Sequence, residues 1–248
     1  MKNLIYILVL LSQVAFAQSK FAQANDLYRK GNYTEAATAY EAILAEKKES
    51  PELYYNLGNA YYKLDKVAPA IYNYEKALLL NPNYRDAKVN LAYANKMTAD
   101  HIKPALKAGF GQFLNRFTSS YHYDSWAWGA VACAFLFLGG FVGYYFSATT
   151  LLKRIFFGSM MVVLAGIVLS IFAAVYIRAS QSAQHPAIVF DEVISVKAEP
   201  NANADDAFLL HEGTRVNVLD KLDNWKKIQL ADDTQGWIPA KAIRELNP

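Results

Sequence analysis

Two uncharged runs constrain this chain more than anything else in it: Ser125 to Leu152, and Ile155 to Ile177. They are about 28 and about 23 residues long, against the ~20 that carry a helix across a bilayer. Only Lys153 and Arg154 part them, and Arg178 closes the second. Trp126 and Trp128, Tyr144 and Tyr145, and Tyr176 stand where interfacial aromatics belong. A buried soluble helix rarely runs this far without a charge, so residues 124–178 are expected to form a two-span transmembrane hairpin with Lys153 and Arg154 at its turn. Both flanking segments then lie on one side of the membrane. The net charge of +3 is too small and too scattered to argue for nucleic acid. The single cysteine, Cys133, lies inside the first run, which leaves no disulfide and no thiol pair.

The N-terminus carries an address. Lys2, the apolar stretch Leu4 to Leu11 and Ala15-Phe16-Ala17 form a charged start, a short hydrophobic region and an A-x-A cleavage signal. Residues 1–17 are therefore expected to be a signal peptide cut before Gln18, with an uncleaved anchor as the alternative. In either case the following segment is exported. The expected location is a bacterial inner membrane, with the N- and C-terminal domains periplasmic and the turn between the spans cytoplasmic. Charge counting supports this orientation only weakly, because Lys103, Lys107, Arg116 and Arg178 fall on the outer side.

Residues 18–97 repeat with a period of 34: Asn56 and Asn90, Leu57 and Leu91, Ala36 and Ala70, Tyr40 and Tyr74. Tyr54, Leu57, Gly58 and Tyr61 fall at i, i+3, i+4 and i+7, one stripe of a helix. Pro69 suits a first helical turn, and Pro82 after Asn81 ends a helix. The stretch Pro51 to Tyr84, with Tyr54, Leu57, Gly58, Tyr61, Ala70, Tyr74, Ala77 and Pro82 in order, resembles the tetratricopeptide repeat family. The repeat before it is degenerate. The one after it begins at Arg85 and shows only a first helix, which fits a cap. The resemblance implies an all-α solenoid of stacked helix pairs.

A second stripe lies on the other face of the same helices. It comprises Phe21, Asn25 and Tyr28, then Glu52, Tyr55, Asn59 and Tyr62, then Asp86, Val89 and Tyr93. In this family that face is concave and faces the ligand, so these ten residues are the candidate partner-binding set. Aromatics and amides combine apolar area with groups that pair a peptide backbone. The alternative is an ordinary polar face. Because Tyr55 and Asn59 lie opposite the Leu57 and Tyr61 packing face, replacing them by Ala is expected to cost within about 0.5 kcal/mol each. Some family members grip a C-terminal carboxylate with two asparagines and several cations. Asn25 and Asn56 match those asparagines, whereas Phe21, Asp86 and Asn90 stand where the cations would be.

In residues 98–123, Leu106, Phe110, Phe113, Leu114 and Phe117 outline an amphipathic juxtamembrane helix. It either lies in the headgroup layer or packs on the last repeat. Inside the spans, Gly129 with Cys133, Gly139 with Gly143, and Gly166 with Ser170 and Ala174 form small-residue ridges suited to close helix packing. No ionisable Asp, Glu, Lys, Arg or His lies within either run, which argues against ion conduction by this chain alone.

After a small, polar linker at 179–186, residues 187–248 read as short strands: 187–190, 193–197, 208–210, 214–219, 225–230 and 235–239. Three motifs, His211-Glu212-Gly213-Thr214, Asn224-Trp225 and Gly236-Trp237-Ile238-Pro239, resemble a bacterial SH3-like domain, which implies a small all-β barrel. The tyrosines of a polyproline groove are missing from Val189-Phe190-Asp191-Glu192-Val193, and Trp225 and Trp237 are expected as core and rim.

No catalytic chemistry stands out. His101, His122, His185 and His211 show no metal-ligand spacing, and Asp205/Asp206 and Asp232/Asp233 read as loop residues. No phosphate loop, nucleophile elbow or zinc-protease motif is present. The expectation is a non-enzyme with no cofactor. The whole architecture is a multidomain membrane protein with a tetratricopeptide solenoid, a two-helix transmembrane hairpin and a small SH3-like barrel. This order resembles the BatE family of the Bacteroides aerotolerance operon. The resemblance implies a membrane scaffold or adaptor in a stress-related complex, with von Willebrand factor A-type membrane proteins and a MoxR-type ATPase system as partners. Alternatives are a peptidoglycan-binding envelope module and a stress-sensing regulatory subunit.

Overall fold

A computed structural model describes residues 20–103, 105, 123–182 and 184–246. The proposed signal peptide and the amphipathic pattern from Leu106 to Phe117 lie outside the described residues. The chain forms two compact units. One is built from the segment that ends at Ala105 and the segment that starts at His185; the other is built from the residues between them.

The first unit opens with helix α1 at 20–29, followed by α2 (Tyr33–Ala45), α3 (Pro51–Lys63), α4 (Val67–Leu80) and α5 (Arg85–Ala94). Ser50 starts α3 by accepting a hydrogen bond from the Leu53 N–H at 3.1 Å, and Pro51 occupies a position whose own N–H is not needed. Pro69 does sit in the first turn of α4, and α5 is a single helix, as the period predicts. Leu57, Tyr54, Ala70, Tyr74 and Ala77 are buried, and Tyr61 is half-buried. Gly58 is small for a specific reason: a Cβ there would lie 2.8 Å from the Tyr74 ring.

The segment after His185 folds as one antiparallel sheet of seven strands in the order β3-β2-β6-β5-β4-β1-β7. The strands are β1 (Pro186–Val189), β2 (Val193–Lys197), β3 (Asp206–His211), β4 (Arg215–Leu222), β5 (Trp225–Gln229), β6 (Gln235–Pro239) and β7 (Ile243–Glu245). All six expected strands are present. The seventh follows a short 3-10 turn at Ala240–Ala242 and is too brief to show alternation in sequence. Ala187, Val189, Val196, Leu210, Val216, Ile228 and Ile238 fill the core, while Trp225 and Trp237 are half-buried. Among the described pairings none joins β3 to β7, so the domain is an antiparallel sheet whose ladder does not close. Asp206 starts a strand rather than sitting in a loop, and it pairs with Lys197 at 2.6 Å.

Helices and sheet share one interior. Ile71, Ala68, Tyr74 and Ala94 of the repeats are buried in one cluster with Ile188 and Leu246 of the sheet segment. Gly213, at φ +82°, turns where a Cβ would meet Thr98, Ile71 and Val67 within 2.8 to 3.1 Å. Tyr72 donates to the Glu245 carbonyl at 3.4 Å, and Arg215 pairs with Glu75 at 3.2 Å. Residues 98–103 and Ala105 strap the sheet. Asp100 accepts from the His211 backbone N–H, the His211 ring N–H and the Thr214 hydroxyl, while Ile102 packs on the sheet core. The Ala105 N–H donates to the Ala231 carbonyl at 2.9 Å. The sheet segment thus covers one face of α4 and the Leu91 and Ala94 positions of α5.

The second unit is a pair of helices, α6 (Tyr123–Phe146) and α7 (Thr150–Ser182). Both are long and apolar enough to cross a membrane. A buried core helix of a soluble protein passes the same test, but here the most apolar window of α6 is 0% buried and that of α7 22%. The break falls at residues 147–149, ahead of the Lys153 and Arg154 expected there. The Ser147 hydroxyl donates to the Gly143 carbonyl at 2.6 Å, and Thr149 Oγ1 accepts from the Leu152 N–H. Local hydroxyl capping sets the turn, so Lys153 and Arg154 lie in the first turns of α7. The Gly129/Cys133 ridge of the first helix packs against the Gly166/Ser170 ridge of the second, as their spacing suggests, whereas the Gly139/Gly143 ridge does so only in part. Gly129 faces Ser170, Gly166 faces Cys133, Gly140 faces Met160 and Gly143 faces Phe156, while Gly139 faces no neighbour within 4 Å.

Candidate functional site

The concave stripe is built on a hydrogen-bond device that occurs twice, one period apart. Tyr40 Oη donates to Asn25 Oδ1 at 2.7 Å, and Asn56 Nδ2 donates to the same oxygen at 3.0 Å. Thirty-four residues on, Tyr74 Oη donates to Asn59 Oδ1 at 2.8 Å, and Asn90 Nδ2 donates to it at 2.8 Å. Each device ties a buried tyrosine of a second helix to asparagines on two successive first helices. A buried hydroxyl and a buried amide each need partners, and the repeat supplies both. Burial raises the pKa of Tyr40 to about 12 and also raises that of Tyr74, so both hydroxyls stay neutral.

Over the second device lies a cavity of about 280 Å³ lined by Tyr28, Tyr55, Asn59, Tyr62, Lys63, Asn90 and Tyr93. Five of the ten candidate residues meet there: Tyr28, Tyr55, Asn59, Tyr62 and Tyr93. Asn25 belongs to the first device, and Phe21 packs its ring 6.0 Å from Tyr40. Glu52, Asp86 and Val89 are exposed outside the cavity lining. Lys63 and Asn90 were missing from the candidate set, although the 34-residue pairing of Asn90 with Asn56 could have flagged the latter.

The stripe is not free of structural work. Tyr55 is half-buried, its ring 5.0 Å from Tyr84 and 6.1 Å from Tyr74, and its hydroxyl accepts from Asn90. Asn59 anchors the buried Tyr74 hydroxyl. This corrects the expectation that both substitute at almost no cost. Asn59→Ala is expected to destabilise the repeats by about 1–3 kcal/mol, since it removes the acceptor of the buried Tyr74 hydroxyl and one of the two acceptors of the Asn90 amide. Opening free energies of α3 and α4 amides from hydrogen exchange check this. Tyr93 and Lys63, both exposed, are the positions that probe the groove without touching the core.

A second cavity, about 440 Å³, lies where the sheet meets the convex side of the repeats; Tyr54, Tyr61, Lys66, Tyr72, Phe190 and Arg244 are among its lining. Arg244 stacks on Phe190 with its guanidinium carbon 4.2 Å from the ring centre. Sequence reasoning missed it because it exists only once sheet and helices dock. Among the described residues no group of three or more His, Cys, Asp or Glu side chains is arranged to hold a metal ion.

Comparison with known proteins gives one family. Residues 21–87 match the model of the tetratricopeptide repeat. No curated protein matches the chain. The matched stretch covers α1 to α4 and the start of α5, so it holds the whole first asparagine device and all of the second except Asn90; the repeat it matches is a protein-interaction fold.

Proposed function

We propose that this chain is a membrane-tethered, non-catalytic scaffold that presents the tetratricopeptide groove and the sheet domain together on the periplasmic face of a bacterial inner membrane. The observation that carries it is the single unit formed by segments on either side of the apolar helix pair. Segments that share one core leave the bilayer on one face, which is the two-span arrangement that export of the N-terminus requires. Tethering raises the effective concentration of a membrane-bound partner, so the groove needs only modest affinity. The order of segments supports membership of the BatE family, with the sheet domain as its SH3-like module. On that reading the partners are the von Willebrand factor A-type membrane proteins and the MoxR-type ATPase system of an aerotolerance operon.

The topology is tested with a reporter active only in the periplasm. It is expected to work when fused after Met97 or Pro248, and to fail when inserted after Ala148. A working insertion after Ala148, or a silent C-terminal fusion, would overturn the arrangement. For the partner assignment, membrane crosslinking is expected to join this chain to the von Willebrand factor A-type proteins and to lose that product in Tyr93→Ala.

A further inference from the structure

We infer that the groove takes an internal, extended segment carrying an aromatic side chain beside an acidic one, and does not take a free C-terminus; this rests on the groove being the recognition surface. The first argument is that the asparagines are already engaged. Asn25 Oδ1 and Asn59 Oδ1 each accept two hydrogen bonds, and the Asn56 and Asn90 amides donate into those devices. Asn90, which lines the cavity, commits its amide to both Asn59 Oδ1 and the Tyr55 hydroxyl, so a carboxylate terminus would have to strip one of those bonds; Asn56 keeps a second amide hydrogen but is not among the cavity lining. The second argument is charge. Among the described residues that line the cavity, Lys63 is the only cationic one, and it is exposed. A desolvated carboxylate calls for paired or bidentate donors, which one solvated ammonium does not supply.

What the cavity does offer is specific. Its volume of about 280 Å³ falls below that of pockets that enclose whole small ligands, and suits one large side chain. Four of its walls are the rings of Tyr28, Tyr55, Tyr62 and Tyr93, an array that accepts an aromatic guest edge-to-face or offset. Burial raises the pKa of Tyr28, so this wall stays neutral. Lys63 makes no ion pair among the described residues, and it stands where an acidic neighbour of the guest would lie. Such a rim pair orients the segment and steers its approach more than it adds affinity.

The test uses the full chain in lipid nanodiscs against two displayed libraries of random short segments. One library is flanked by fixed linkers on both sides, and the other ends in a free C-terminus. The flanked library is expected to enrich segments with an aromatic residue adjacent to Asp or Glu. Chosen segments should bind about tenfold more weakly to Tyr93→Ala, and Lys63→Glu should shift selection from acidic to basic neighbours. Enrichment confined to the free-terminus library, or enrichment without an aromatic, overturns the inference while leaving the groove as the recognition surface. No enrichment over the Tyr93→Ala chain in either library overturns the groove reading itself.

Discussion

Asp100→Ala is expected to release the sheet from the repeats, at a cost of about 3–5 kcal/mol in the opening free energy of that junction. The Asp100 side chain is only 14% exposed and closes three hydrogen bonds at 2.6 to 2.8 Å, from the His211 backbone, the His211 ring and the Thr214 hydroxyl. Bonds to a charged acceptor are the strong kind, and removing the acceptor leaves the buried Thr214 hydroxyl without its partner. Ile102 would lose its hold on the sheet core along with the strap. Hydrogen exchange of the full chain in nanodiscs reads this directly. Protection should fall at β1, at β3 and at the end of α5, while the α2 and α3 amides keep most of theirs. Unchanged protection at β3 would show that the strap is not what holds the junction.

The same residue gives the junction an acid limb. Partial burial pushes the Asp100 carboxyl up, but the Thr214 and His211 donors outweigh it, so its pKa lies below the usual aspartate range. A depressed carboxyl contributes stability at pH values above its unfolded value, about 3.9, and loses it as the pH falls through the folded value. Glu75 runs the other way. Burial raises its pKa despite Arg215 at 3.2 Å, so the folded unit gains from protonating Glu75 on the way down. The wild-type decline below about pH 4 should therefore be shallower in Asp100→Ala, which has no depressed acid to lose.

The helices, the repeat period and six of the strands were legible in the sequence because each rests on local pattern. The 34-residue spacing relates Tyr40 to Tyr74 and Asn56 to Asn90, and each pair has one member in each of the two hydrogen-bond devices of the groove. What the pattern hid was every contact between the repeats and the sheet. Tyr72 with Glu245, Glu75 with Arg215 and Asp100 with His211 join positions separated by the whole apolar helix pair. Nothing in α4 marks its outer face as covered, because Glu75 and Lys76 read as solvent residues until Arg215 and the Leu246 carbonyl arrive. The turn between the long helices was misplaced for a related reason. Two charges look like a boundary, yet Ser147 and Thr149 close the helix ends with their own hydroxyls.

The second large effect is expected at Tyr74, and its coupling to Gly58 is the sharper observable. Tyr74 is fully buried and its hydroxyl is bonded to Asn59. Tyr74→Ala is expected to cost about 3–5 kcal/mol by opening a cavity shared by the repeats and the sheet. Gly58→Ala alone should cost about 1–3 kcal/mol, because its new methyl would lie 2.8 Å from the Tyr74 ring in a packed core. Once the ring is gone the clash is gone too, and alanine regains about 1 kcal/mol over glycine within a helix. The double variant should thus be no less stable than Tyr74→Ala, giving a coupling of about 2 kcal/mol or more. Opening free energies of the α3 amides in the four chains complete the cycle. Additive losses would mean that the ring moves aside for the methyl, and that the glycine stands at position 58 for some reason other than the close approach of Tyr74.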